Sequence, residues 1–378
     1  MSLPVLVEAL RSPIGREGGR LRDVSAADLA APVLAAVHQR LGRPPPTEVV
    51  LGNCMGPGGD VARVAALAAG LGVEVPALTV DRQCGSGLAA VTTAAALVAS
   101  APGLILAGGV ESASTAPWRH WPPVNGGALE RYARAPFAPE GFADPEMGEA
   151  ADRLAAAAGI SREAQDRYAA RSHARAVSAA TAGSFAAETV SVAGLDHDER
   201  PGAGLSVPLL TRLAPVFRPS AEGGTVTVGT SCGVNDGAAV VAVVDGDQHA
   251  RSARPGLQVL ASATAAVDPA QPGIGLVPAS RLALDRAGVG LDQIDVVELN
   301  EAFAGQVLAC CAVLGLDPER VCPQGGALAL GHPWGASGAV LLVRLFSQLV
   351  RTPRPGALGL AAIAVGGGQG VAMVVRSC

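Results

Sequence analysis

Short β-branched apolar runs alternate with Ala- and Leu-rich stretches from end to end of this chain, an alternation that restricts it to layered α/β architectures. Val5–Ala9, Val49–Leu51, Leu78–Val80, Leu104–Ala107, Thr225–Val228, Ala239–Val244, Val296–Leu299 and Ala361–Val365 read as strands. A weak internal repeat sharpens the reading. Cys84-Gly-Ser-Gly opens an apolar stretch (LAAVTTAAALV) that runs into GLILAGG, and Gly335-Ala-Ser-Gly opens AVLLVRLFSQLV ahead of LGLAAIAVGGG. Each unit reads as a tight glycine turn, a buried helix and a strand ending in glycines. We expect a duplicated core, although two unrelated βαβ units share the same pattern.

The stretch 117–220 differs in character and reads as an excursion from that core, a cap or substrate-binding insertion. It opens on Trp118, Trp121, Tyr132, Phe137 and Phe142 among several prolines. A helix follows at 161–180, with Ser161 as its N-cap.

Composition removes several functions. Hydrophobic residues make up 49% and charged residues 16%, as expected for a globular chain, and the net charge of −5 offers no electrostatic footprint for nucleic acid or an anionic membrane. All 28 basic residues are arginine. Without lysine there is no Schiff-base chemistry and no P-loop. The uncharged run 83–110 is long enough to span a bilayer, but Ser100, Pro102 and Gly103 interrupt it, so it reads as a buried helix followed by a strand. The opening MSLPVLVEALRSP has no basic segment ahead of an apolar one, so no signal peptide is expected. Seven cysteines without a C-x-x-C suggest neither a disulfide framework nor a metal site, and the expected compartment is the reducing cytoplasm.

Cys84, in VDRQCGSGLAAV, falls between a strand and a helix start, where free N–H groups and the positive helix end favour a nucleophilic thiolate. A buried apolar role for the thiol is the plain alternative. Gly85-Ser-Gly87-Leu-Ala-Ala90 also fits a dinucleotide fingerprint, but the nearest acidic residue downstream is Glu111, too far on to hold a ribose in the usual way. His332, inside the glycine-dense GGALALGHPWGASG, suits a base that takes the thiol's proton. Asn300 and Glu301 follow the strand Val296–Leu299, at the strand end where α/β sites form, and Asn300 could equally be a helix cap.

Taken in order, these segments resemble the thiolase family (acetyl-CoA C-acetyltransferase and 3-ketoacyl-CoA thiolase) nearly end to end. The resemblance rests on RSPIG at 11–15, CGSG at 84–87, ISREAQDRYAARSHARA at 160–176 and SCGVNDGAA at 231–239. NEAF at 300–303, GGALALGHPWGASG at 325–338 and GGGQG at 366–370 complete it. It implies two βαβαβαββ halves in an αβαβα layering with an inserted loop domain. The halves would be 1–116 with 221–252, and 253–378, and the loop domain 117–220. It further implies that Cys84 accepts the acyl group, that His332 activates it, and that His332 with an Asn300-held water forms one oxyanion hole. The N–H groups of Cys84 and Gly366 would form the other. Cys232, Phe303 and Trp334 would contact substrate. The substrates would be acyl-CoA or 3-ketoacyl-CoA and CoA, with no further cofactor and no metal, in a homodimer or homotetramer away from membrane and nucleic acid.

The departures matter as much. The family's second cysteine, the acid/base at the substrate α-carbon, falls on Ala364, and alanine carries no proton. Losing a positioned acid/base costs roughly 10²–10⁴ in rate. Cys232 stands where serine is usual, Trp334 where isoleucine is usual, and Pro272 where methionine is common. Cys232 is either the missing proton carrier or a neutral exchange. No arginine among Arg200, Arg212 and Arg218 can be assigned to CoA. Claisen condensation or thiolysis is expected. Acyl transfer to another acceptor, decarboxylative condensation, and a non-catalytic CoA-binding or partner scaffold remain as alternatives.

Overall fold

The computed structural model describes residues 2–252 and 254–378. In chain order the strands are β1 (Val5–Arg11), β2 (Gly15–Arg16), β3 (Glu48–Gly52), β4 (Ala77–Val80), β5 (Leu104–Ser112), β6 (Arg119–Trp121), β7 (Glu130–Tyr132), β8 (Asn235–Val244), β9 (Leu257–Ala266), β10 (Val296–Leu299), β11 (Leu358–Val365) and β12 (Gln369–Ser377). The helices are α1 (Ala26–Arg40), α2 (Val61–Ala68), α3 (Ser86–Ser100), α4 (Met147–Ala157), α5 (Arg162–Thr181), α6 (Val207–Leu210), α7 (Gly246–Ser252), α8 (Leu276–Ala287), α9 (Ala304–Leu314), α10 (Ala327–Leu330) and α11 (Trp334–Phe346).

One path of hydrogen-bonded strands, β10-β11-β12-β9-β1-β8-β5-β3-β4, runs through the molecule. Its middle is narrow, because β1 and β9 share only the pairs Val5↔Gln258 and Leu6↔Leu257. Either side of that junction repeats one topology. β1 pairs antiparallel with β8, β8 antiparallel with β5, and β5 parallel with β3. In the second half β9 pairs antiparallel with β12, β12 antiparallel with β11, and β11 parallel with β10. The duplication is therefore real in strand order and direction; the short β2, paired with β8 off the path, has no counterpart, and for edge strand β4 only the bridge Val297↔Val321 stands in the second half.

Helices α3 and α11 form the central layer. Their side chains share a single apolar cluster with the inner faces of both halves, while α1 and α2 cover the outer face of the first half and α8 and α9 that of the second. A strand covered on both faces has no need of alternation, and β8 (NDGAAVVAVV) is buried at every position. The same holds for α11, buried from Gly335 to Phe346, which explains the lack of an amphipathic period in its sequence. The span 83–100, apolar and long enough for a membrane, is the segment that carries α3 into this central layer.

Backbone sits against backbone where these two helices meet. A Cβ on Gly87 would stand 2.8 Å from the Gly335 oxygen, and one on Gly338 2.4 Å from the Leu88 nitrogen. A Cβ on Gly109, on β5, would stand 1.9 Å from that same Gly335 oxygen. The glycines form a seam between the two halves at the N-terminal ends of α3 and α11.

One expected strand does not form. Thr225–Val228 is irregular, because its amides find side-chain partners before a ladder can. The N–H groups of Thr225 and Val226 donate to the Asp152 carboxylate at 2.6 and 2.9 Å, and that of Thr227 to Thr230 Oγ1 at 2.9 Å. The helix expected after Ser161 is α5, and the Ser161 hydroxyl accepts from the Ala164 N–H at 3.1 Å. The aromatic-rich stretch before it forms the β6–β7 hairpin, with Trp121 stacked on Tyr132.

Candidate active site

β4 ends three residues before a tight elbow that delivers Cys84 to the start of α3. Gln83 takes a positive φ of 45°, a conformation a non-glycine residue holds only when its surroundings impose it. They do so here. The Gln83 carbonyl accepts from Ser86 Oγ at 2.7 Å and from Cys54 Sγ at 3.0 Å, while its N–H donates to Asp81 at 2.7 Å. Gly85 lies so close to β11 that a Cβ would meet the Val365 side chain at 2.7 Å.

The expectation of a thiolate at this helix start does not hold. Burial pushes the Cys84 thiol up to about 12, with Cys232 and Glu111 adding to the rise, although the N–H groups of Cys84 and Gly366 hydrogen-bond the sulfur and oppose it. The half-charge of a helix end is smaller than the cost of desolvating a thiolate. Cys84 therefore rests as a thiol, and a nucleophilic role for it would require a base.

His332 sits on the loop between α10 and α11, its N–H donating to Asn235 Oδ1 at 2.9 Å. Its Nδ1 lies 2.6 Å from Ser337 Oγ, and that hydroxyl already donates to the Pro333 carbonyl at 2.9 Å. A hydroxyl has one proton, so Ser337 must accept from the ring; the network assigns the hydrogen to Nδ1 and leaves Nε2 as a lone pair. Burial lowers the His332 pKa to about 4, so the imidazole is neutral across the physiological range.

Cys84 and His332 line one cavity of about 450 Å³, within the range of small-molecule clefts. Cys232, Phe303, Trp334 and Gly366 line it too, so it gathers every expected site residue except Asn300. Asn300 lies one layer behind, buried, with Nδ2 3.4 Å from His332 Nε2. With Glu298, Ser337 and Arg344 it also borders a second cavity of about 20 Å³, room for one water. Glu301, the other half of that polar pair, turns away from the site and takes hydrogen bonds from Tyr168, Ser172 and the Leu328 N–H, tying α5 to the core.

Several wall residues lie outside the motif segments. Phe137 comes from the long loop before α4, its ring so near Gly366 that a Cβ there would stand 2.6 Å away; Phe217 packs edge-on against Phe303 at 6.0 Å. The Glu111 carboxylate gathers the Cys54, Met55 and Gly335 N–H groups and the Asn53 amide, at 3.0–3.2 Å, bracing the walls around the elbow. Ala364 also lines the cavity, presenting a methyl group that carries no proton. Among the described residues no group of three or more His, Cys, Asp and Glu side chains is placed to hold a metal.

Comparison with known proteins gives the arrangement its lineage. The family model for the thiolase N-terminal domain matches residues 4–247, and that for the thiolase C-terminal domain residues 253–377. An acetyl-CoA acetyltransferase of Pseudomonas aeruginosa is 40% identical over 392 residues, covering 98% of each chain. A beta-ketoadipyl-CoA thiolase of the same organism is 40% identical over 409 residues, covering 100% of each. The crystal structure of the Bacillus anthracis acetyl-CoA acetyltransferase superposes with a TM-score of 0.91 at 35% identity, covering 100% of this chain and 99% of that one. Domain order, full-length identity and fold agree, and the chain belongs to the thiolase family.

Proposed function

We propose that this acyltransferase takes the acyl group of a CoA thioester onto Cys84 and uses the acyl-cysteine in thiolysis of 3-ketoacyl-CoA or the reverse Claisen condensation. The observation that carries the reading is the pairing, around one cavity, of a protonated Cys84 thiol with a neutral His332 whose free lone pair is on Nε2. His332 Nε2 takes the thiol proton as Sγ attacks the carbonyl carbon, and Ser337 holds the ring in the competent tautomer. The N–H groups of Cys84 and Gly366 meet the oxygen that gains charge. Asn300 and His332 serve a second oxygen, and preorganised donors of this kind supply much of the rate. Phe303, Trp334 and Cys232 flank the acyl group.

The test is the intact mass of the protein after mixing with a 3-ketoacyl-CoA without free CoA. The expected adduct is the acyl group shortened by two carbons, absent in Cys84→Ala. An uncleaved 3-ketoacyl adduct would mean transfer without C–C cleavage, and no adduct with any acyl-CoA would overturn the reading.

The protein works as a homodimer or homotetramer in the cytoplasm. Edge strand β4 supports the assembly, with Leu78 exposed on it and Val64, Leu67 and Val73 exposed nearby. Light scattering is expected to give two or four times the 37.5 kDa chain mass, and a monomer at micromolar concentration would contradict it.

A further inference from the structure

Breaking or making a bond at the carbon next to a thioester carbonyl needs a proton there as well as a nucleophile at the carbonyl. His332 is occupied with Cys84. Besides that pair, the titratable side chains lining the cavity, among the described residues, are Arg119, Arg134, Glu146 and Cys232. Guanidinium groups do not exchange protons in this range. Glu146 is paired with Arg134 at 3.3 Å, and its side chain is 73% exposed, at the mouth. Cys232 alone lies on the inner wall.

Its surroundings are unusual. The Arg200 guanidinium lies against the Ser231–Gly233 segment, donating from Nε to the Leu328 carbonyl at 3.0 Å and from Nη2 to the Ser231 carbonyl at 2.9 Å. A Cβ on Gly233 would stand 2.4 Å from Nη1. Arg200 forms no ion pair with a carboxylate among the described residues; its hydrogen bonds go to backbone carbonyls on either side of the cavity wall that carries Cys232. Burial pushes the Cys232 thiol up to about 12, and Arg200 is the charge that opposes this.

We propose that Cys232 is the catalytic proton carrier at the substrate α-carbon and that Arg200 is its positioning cation, an inference that rests on the acyl-Cys84 reading above. In thiolysis, Cys84 Sγ attacks the 3-keto carbon while His332 Nε2 takes its proton. The C2–C3 bond breaks with its electron pair on C2, and Cys232 gives its proton to C2, releasing acetyl-CoA. The Cys232 thiolate, now beside Arg200, takes the proton of the incoming CoA thiol, whose sulfur attacks the acyl carbon. Cys84 leaves and recovers its proton from His332. Proximity sets the order, because a charge on Cys232 raises the cost of a thiolate on Cys84.

Deuterium uptake at C2 of acetyl-CoA in D₂O, measured beside acylation of Cys84 by intact mass, tests the proposal. Cys232→Ser is expected still to form the acyl-Cys84 adduct and to lose exchange and C–C cleavage by roughly 10²–10⁴-fold. Exchange and cleavage at the unmodified enzyme's rate in that variant would overturn it, as would an unmodified enzyme that acylates without exchanging. Failure of the unmodified enzyme to acylate would instead sink the acyl-Cys84 reading, and this proposal with it. For Arg200 the readout is the pH profile: Arg200→Gln should move the exchange midpoint upward and Arg200→Lys restore it. Equal midpoints in all three would remove Arg200 from the mechanism.

Discussion

His332→Ala will slow acylation of Cys84 by roughly 10²–10⁴-fold, the usual worth of a positioned base. The direction follows from the resting states. Burial pushes the thiol to about 12, so almost none of it ionises unaided at neutral pH. Burial lowers the imidazole to about 4, so Nε2 is available whenever the pH is above that value. An exposed histidine would be half protonated near pH 6.5 and its lone pair lost below it. The acid limb assigned to His332 should therefore lie near pH 4, with single-turnover acylation keeping its rate as the pH falls from 7 to 5. Rapid-quench mass spectrometry gives both numbers. A limb at 6.5, or His332→Ala acylating at the original rate, would mean another group removes the proton.

Glu188→Ala will destabilise the fold by about 3–5 kcal/mol, the range for removing one partner from a buried charge network. Glu188 is fully buried and accepts from Arg11 Nε at 2.8 Å, from Arg344 Nη1 and from Ser347 Oγ at 2.5 Å. Arg11 also holds Asp198 through two bonds at 2.6 and 2.9 Å. The cluster joins β1, the 182–199 segment and α11, so its loss leaves Arg344 charged inside the core without a carboxylate. Burial alone would raise the Glu188 pKa, but Arg344 and Arg11 outweigh it and hold the carboxyl below its ordinary value. A carboxyl depressed in the folded state stabilises above its unfolded pKa and stops doing so as pH falls through the folded one. The deficit should thus be full at pH 7 and shrink below about pH 4. Urea unfolding at the two pH values measures it. A deficit below 1 kcal/mol at pH 7 would show that the network is dispensable.

The residues gathered around this cavity were legible because they sit in short segments of unusual composition. Cys84, His332 and Gly366 each lie beside glycines that backbone approach requires, and glycine-dense turns stand out in any sequence. Strand content was legible wherever a run was apolar throughout, as in β8. It misled at Thr225–Val228, where the deciding partner, Asp152, lies more than seventy residues away on α4. The protonation of Cys84 was also hidden. A helix start argues for a thiolate, but desolvation depends on walls such as Phe137 and Phe217 that come from distant loops. Asn300, expected to hold a water rather than to touch substrate, lies one layer behind the wall, because the strand end that presents it is covered by the α10–α11 loop.

The glycine seam between α3 and α11 separates what can vary in this molecule from what cannot. Cys84 and His332 sit beside helix ends that touch through main chain, so no side-chain exchange elsewhere readily changes the frame that relates them. The cavity walls, by contrast, are built of side chains such as Pro272, Trp334, Cys232 and Ala364. Under mutational drift, the acyl pocket and the proton carrier are free to be rewritten one residue at a time while nucleophile and base stay in register. A chain of this design can change its pocket walls without disturbing the frame on which the proposed acylation of Cys84 depends.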